Sequence, residues 1–173
     1  MADVKSLAQY LLYSYEKITE SRFSNDEMRL HKLMYFAQRE SLALFGEQLF
    51  DSRIEGWVHG PVVTDLRFFF DYDFKPISDI NDLALDEKSK YIIDNVIYQY
   101  AKYETWSLRC MTHAEKSWKN SREGLTPYQH GQEVLNIDDI IEDARNVRQY
   151  DHVFDMFIDE FDNLNGDTIH EVL

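Results

Sequence analysis

Between Ser24 and Val63 the hydrophobic period changes once, and that change restricts the folds open to the chain. Leu30, Leu33, Met34, Ala37, Ser41 and Leu44 recur at steps of three and four, which marks one face of a helix. Ser24-Asn25-Asp26-Glu27 ahead of it has the spacing of a capping box, Ser24 accepting from the third helical N–H while Glu27 reaches back. Gly46 suits the left-handed conformation that ends a helix. After it, Ile54, Trp57 and Val58 form a run closed by the breaker Gly60-Pro61, so a short strand and turn are expected within residues 48–63. The partner of that strand is not legible.

The remaining pattern is mostly helical. Val4, Leu7, Ala8, Leu11, Leu12, Tyr15 and Ile18 predict an amphipathic helix over 3–19. Thr64-Asp65 offers a cap for a short helix through Leu66, Phe69 and Phe70, ending before a turn at Pro76. Asp86 opens a longer helix bearing Tyr91, Ile92, Val96, Ile97 and Tyr100, and Thr105 is placed to cap the next, with Trp106, Leu108, Arg109 and Met111. Asn120 to Gly131 reads as a loop, and Asn136 restarts helix with Ile140, Ile141 and Ala144 on one face. At the end, Tyr150, Val153, Phe154, Phe157, Ile158, Phe161 and Leu164 fall at helical steps, with Asp151, Asp155, Asp159, Glu160 and Asp162 mainly between them. The fold class is therefore mainly α: a single compact multi-helix domain over 1–149 with a minor β element around 48–63, then an acidic amphipathic helix and tail over 150–173.

Composition narrows the partners. With 44% hydrophobic and 14% aromatic residues the chain can bury enough apolar surface to fold. Its net charge of −14 repels phosphate backbones, so direct nucleic-acid binding is not expected. A basic protein surface is the natural complement, although acidic balance also serves solubility. Cys110 is the single cysteine, which rules out an intrachain disulfide and fits a reducing cytoplasm. No apolar run approaches the ~20 residues of a membrane span, and no export signal is expected.

Signatures of chemistry are few. HExxH, P-loop, dinucleotide-binding glycine and GxSxG patterns are absent, and no metal-ligand spacing or cofactor motif replaces them. His113 and Glu115 are two positions apart and would point in different directions on a helix, so a structural role outweighs an acid–base pair. His59 beside Gly60-Pro61 reads the same way. Trp57, Trp106 and Trp118 suit core packing better than interface anchoring, and Glu27, Glu40 and Glu55 read as a solvated acidic face.

Two separated segments carry a resemblance. Leu30-His31-Lys32-Leu33-Met34-Tyr35-Phe36-Ala37-Gln38, then Leu49-Phe50-Asp51, then Trp57 and Gly60-Pro61-Val62-Val63 form the first; Thr112-His113-Ala114-Glu115 before Ser117-Trp118 forms the second. Together they resemble the Panacea domain, the SocA-like antitoxin domain of bacterial and phage toxin–antitoxin loci, over about residues 5–148. The resemblance implies a helical, non-enzymatic antitoxin that binds and neutralises a cognate protein toxin in a stoichiometric complex. It implies that Lys32, Tyr35, Trp57, Gly60, Pro61, His113, Glu115 and Trp118 belong to the structural motif, and it supplies no catalytic, cofactor or metal residues. Arg39-Glu40 stands where many relatives have Gly and an aromatic residue, and Gly56 where Ala is usual. Partner contacts are expected from His59 and Arg67 and from Phe154, Asp155, Phe157, Asp159 and Phe161 on the acidic terminal helix, which lies outside the resemblance. An adaptor that delivers a partner to a protease, and a small hydrolase or transferase using His113 and Glu115, are the alternatives. Oligomeric state stays open.

Overall fold

A computed structural model describes residues 1–75, 77 and 79–161. Among the described residues six α-helices, α1 (Val4–Thr19), α2 (Glu27–Phe45), α3 (Glu87–Tyr100), α4 (Thr105–Ala114), α5 (Lys116–Ser121) and α6 (Ile137–Arg145), carry two antiparallel hairpins, β1 (Ile54–Trp57) with β2 (Gly60–Val63) and β3 (Tyr150–Asp151) with β4 (Met156–Phe157). The fold is mainly α with minor β elements.

Short polar side chains start four of the helices. Asp3, Asp26, Asp86 and Asn136 each accept a backbone N–H of the first turn, from Ser6, Arg29, Ser89 and Asp138. For α2 this corrects the capping box: Asp26 caps, not Ser24, because Glu27 turns away to His31 (3.4 Å) and the Phe68 N–H (3.2 Å). Gly46 ends α2 at φ 67°, its N–H donating to Leu42. Thr105 is the first helical residue of α4 and not its cap, since its hydroxyl is held by Asp26 of α2. The helix expected after Thr64 is a 3₁₀ turn (Thr64–Leu66) and a π turn (Phe69–Asp73) joined at Phe68, whose φ of 61° interrupts the spiral. The turn expected at Pro76 falls outside the described residues.

Helix α2 occupies the centre. Every residue from Leu30 to Leu42 is buried, because α3, α4, α6 and β2 all pack around it while α1 covers α3. Leu7 and Leu11 of α1, Leu33, Met34 and Phe36 of α2, and Ile92, Ile93 and Val96 of α3 make the core with Leu108 and Ile140. A helix buried all round cannot be apolar on one stripe alone, so its polar side chains need partners inside the protein. The strand predicted before Gly60 is the first half of the β1–β2 hairpin, registered Ile54↔Val63 to Trp57↔Gly60, and residues 133–135 lie along its open edge through Gly56 N–H to Glu133 (2.8 Å) and Leu135 N–H to Ile54 (2.8 Å).

The terminal segment differs from the amphipathic helix its periodicity predicts. Tyr150–Asp151 and Met156–Phe157 pair as strands, and among the described residues of the segment 158–161 are helical; Asp162 and Leu164 lie outside the described residues. Asp155 at φ 51° makes the tight turn, Asp151 accepts the Val153 N–H (3.0 Å), and the Tyr150 and Phe157 rings meet across the strands at 5.5 Å. Aromatic residues seven apart satisfy a two-turn helical spacing and a folded-back pair equally, and Asp residues favour the turn.

Candidate functional site

Polar side chains of α2 tie β2, residues 49–50, α3, α5 and α6 to the centre. His31 Nδ1 accepts the Val63 N–H (3.2 Å) and Lys32 Nζ donates to the Pro61 carbonyl (3.0 Å), so two adjacent residues hold β2. Gln38 accepts the N–H groups of Leu49 (2.9 Å) and Phe50 (3.2 Å) and donates to the Phe50 carbonyl (3.1 Å). The Tyr35 hydroxyl meets Ser117 (2.9 Å) and Asp143 (3.2 Å), and Arg39 pairs with Glu115 and donates to the Tyr100 hydroxyl (2.7 Å). Asp143 of α6 in turn accepts the first two N–H groups of α5, from Lys116 (2.8 Å) and Ser117 (2.9 Å), supplying the cap that α5 lacks locally.

That network explains the break between α4 and α5. Glu115 is extended (φ −69°, ψ 139°) and turns toward Arg39, while His113 stacks flat on Trp118 with ring centroids 3.7 Å apart. The two side chains share no hydrogen bond, so an acid–base pair is not assembled. Burial, reinforced by the nearby cations Arg109 and Lys32, pushes the His113 ring down to about 4, and burial raises the Glu115 carboxyl despite Arg39. Glu40, read from sequence as solvated, is fully buried; burial raises its carboxyl against Arg39 (3.7 Å) and the Tyr100 hydroxyl (3.5 Å). Burial also drives Lys32 down to about 7, since its one hydrogen-bond partner is a neutral carbonyl.

Two glycines make room. At Gly60, with φ 104°, an added Cβ would lie 2.7 Å from Lys32 Cε and 2.7 Å from Thr112 Oγ1; at Gly56 it would lie 1.9 Å from Ser121 Oγ. The departure from the usual Ala at position 56 thus has its counterpart in Ser121, whose hydroxyl occupies that space.

Beside the β1–β2 hairpin lies a groove of about 570 Å³ lined by the apolar Met28, Val58 and Val62 and by the nitrogen-bearing Lys32, His59 and Arg67. Arg67 lies over the Trp57 ring (4.9 Å) and the Phe68 ring (5.2 Å). His59 is exposed and accepts from Arg109 Nε (3.1 Å), whose guanidinium covers Trp106 at 4.3 Å. Burial first, then Arg109 and Lys32, lowers the His59 ring. Trp106 is 60% exposed, which corrects its expected place in the core; Trp57 and Trp118 are half-buried, linked by Trp118 Nε1 donating to the Trp57 carbonyl (2.8 Å). A second cleft of about 630 Å³ opens between α3 and the terminal hairpin, bordered by Arg39, Glu115, Tyr98, Arg148, Asp155 and Phe157.

The residues expected to contact a partner therefore fall into two groups. His59 and Arg67 share the hairpin groove, whereas Asp155 and Phe157 border the second cleft and Phe154 packs edge-on to Phe161 at 5.4 Å. The terminal acids are engaged within the chain: Arg148 bonds Asp159 (2.9 Å) and Glu160 (3.0 Å), and Tyr150 donates to Asp155. Sequence reasoning did not single out His31, Gln38 or Asp143. The first two sit in the quoted motif at the helical offsets of Tyr35, which is a usable signal; Asp143 reaches α5 only through tertiary folding. Among the described residues no group of three His, Cys, Asp or Glu side chains is placed to hold a metal ion, and no helix is long and apolar enough to cross a membrane.

Comparison with protein families matches residues 30–119, just over half of the chain, to the family described as "Antitoxin SocA-like, Panacea domain". No curated protein and no solved structure gives a significant match.

Proposed function

The chain belongs to the SocA-like antitoxin family built on the Panacea domain, and from that premise we propose that it neutralises a cognate protein toxin by forming a stoichiometric complex with it. Membership supports a role in a toxin–antitoxin system and a toxin as partner. The observation that carries the reading is the coincidence of the family segment with the α2-centred frame: residues 30–119 contain most of α2, the first hairpin, α3, α4 and most of α5. In this reading the signature residues are spent on holding that frame. Lys32, Tyr35 and Glu115 bond internal partners, Gly60 makes room for Lys32 and Thr112, and His113 stacks on Trp118, so each contributes to the frame. Such a scaffold acts by presenting a surface, and the surface residues determine which toxin it accepts.

The test is co-expression with the protein encoded beside it. Growth arrest caused by that neighbour alone, relieved by this chain, with the two co-purifying at a fixed ratio, is the expected result. Relief without a complex would point to action on the toxin's synthesis or breakdown. A neighbour without toxicity, or toxicity that this chain leaves untouched, would remove the reading.

A further inference from the structure

Eighteen cationic side chains share this protein with thirty-two carboxylates, yet the region around the β1–β2 hairpin runs against that balance. Lys32, Arg67, Arg109 and Arg122 converge there, and among the described residues none of the four lies within 4 Å of a carboxylate; the ion pairs of the chain are elsewhere. Arg122 is satisfied by the carbonyls of Gly56 (3.1 Å) and Gln129, and Lys32 by Pro61. Arg67 and Arg109 are different. Each rests on aromatic rings, Arg109 gives one N–H to the neutral side of His59, and neither donates to an oxygen of the chain. Glu27 is the one acid on the groove wall, and it is committed to His31 and the Phe68 N–H.

Resting on the antitoxin reading, we propose that this groove is where the toxin docks, and that it receives a segment carrying Asp or Glu next to an apolar side chain. The chemistry comes from the two walls. Arg67, over the Trp57 and Phe68 rings, and Arg109, over the Trp106 ring, keep N–H groups that no oxygen of the described residues accepts, and a guanidinium can give such groups in pairs to a carboxylate. Met28, Val58 and Val62 line the groove beside Arg67, Arg109 adjoins it through His59, and the exposed Tyr128 on its wall and Trp106 next to His59 are the kind of side chain enriched at binding hot spots. A peptide brings one or two carboxylates to a local positive site. A nucleic-acid backbone would bring a continuous polyanion against a protein of net charge −14, so the acidic peptide fits where phosphate chains do not. The acidic surface as a whole attracts a basic toxin body at long range, while this groove reads an acidic patch on that body and fixes its orientation.

The experiment uses the full chain with the neighbouring toxin. Arg67→Glu/Arg109→Glu, neither residue forming an ion pair that folding depends on, is expected to weaken the complex by about 100-fold, roughly tenfold for each reversed charge, with the thermal midpoint kept. A photoreactive side chain at Tyr128 is expected to cross-link a toxin segment containing Asp or Glu, and changing those acids to Lys is expected to restore binding to the charge-reversed variant. Lys17→Ala on α1, whose ammonium lies over Tyr13 and not on the groove, is the comparison and is expected to leave affinity within about threefold. A complex that tolerates the double reversal with unchanged affinity would overturn the groove while leaving the antitoxin reading intact. So would a cross-linked segment without acids. Binding of a 20-nucleotide RNA or DNA probe that is lost in R67E/R109E would overturn the choice of occupant, and failure to form any complex with the neighbour would remove both proposals together. If the double variant unfolds, Arg67→Ala and Arg109→Ala are measured separately, and equal affinities in both would also sink the idea.

Discussion

The inner face of α2 and the terminal hairpin β3–β4 are both rich in aromatic and charged residues, but they handle charge in opposite ways. On α2, Lys32, Arg39 and Glu40 are buried, and the neighbouring polar groups bind backbone atoms of other segments. On the hairpin, Arg148 pairs with Asp159 and Glu160 in the open, with side chains about half exposed. Removing one partner of a buried polar contact leaves an unsatisfied group in a dry site, whereas an exposed pair exchanges its partner for water. Stability should therefore reside in the first region and scarcely at all in the second.

The sharpest way to break the comparison is to fill the space the α2 network depends on. Gly60→Ala combines a positive φ with overlap on Lys32 and Thr112, and it should lower stability by about 3 kcal/mol or more, read as the shift of the denaturant midpoint. Gly56→Ala meets Ser121 instead, and there the clash comes from one side chain. Pairing Gly56→Ala with Ser121→Gly should recover most of the loss, and a purely additive double variant would show that the crowding is not what makes Gly56 necessary.

Next in size is Asp143→Ala. One carboxylate accepts from the Tyr35 hydroxyl and from the Lys116 and Ser117 N–H groups, so truncation leaves three donors without it; a loss of roughly 3 kcal/mol is expected by chemical denaturation. Arg148→Ala on the terminal hairpin supplies the contrasting measurement. Equal losses from the two would show that exposed and buried charge are used alike.

How much of this the sequence disclosed follows from the range over which each signal acts. Helix starts and stops are local, and Asp86, Asn136 and Gly46 are legible because the capping group lies within one turn of what it caps. The Ser24 cap fails for a non-local reason: Glu27 is drawn to His31 and to Phe68, 41 residues on, and Asp26 takes the cap. Periodicity placed the core face of α2, yet it could not show that the opposite face is also buried, so Glu40 reads as solvated. The terminal hairpin is lost to the same limit, since a seven-residue aromatic spacing serves two geometries and only the Asp155 turn decides between them. Within the candidate site, His59 and Arg67 are visible as lone polar groups beside a breaker. The cation cluster around them depends on α4 and the loop after α5 folding against the hairpin, which no local pattern encodes.

Lys32 offers a pH test of the buried side. Its folded value is depressed to about 7, well below the ordinary lysine value, so between those two pH values the unfolded chain binds the proton that the folded chain has released. Stability must then rise with pH from about 7 upward, by at most about 1.4 kcal/mol per pH unit from this group, and level off once lysine is neutral in both states. Lys32→Met removes the titrating group. The difference in unfolding free energy between wild type and K32M should therefore shift in favour of wild type as pH is raised from 7 to 10. A difference independent of pH would mean that Lys32 stays charged and is stabilised by a group other than Pro61.

The smallest expected effect lies on the exposed side. Arg148 is held by Asp159 and Glu160, which keeps the Asp159 carboxyl below its ordinary value, but both partners stand in solvent, where water and salt replace what the pair provides. Asp159→Asn with Glu160→Gln should leave the thermal midpoint where it is, at low and high salt alike. The same double variant is informative in the complex. If the terminal acids meet a basic toxin surface, association should slow at low salt and converge with wild type at high salt, because exposed charges act mainly on the rate of encounter. Should the midpoint fall instead, the β3–β4 hairpin would be anchored through its surface ion pairs, and the division between buried charge that carries stability and exposed charge that does not would fail.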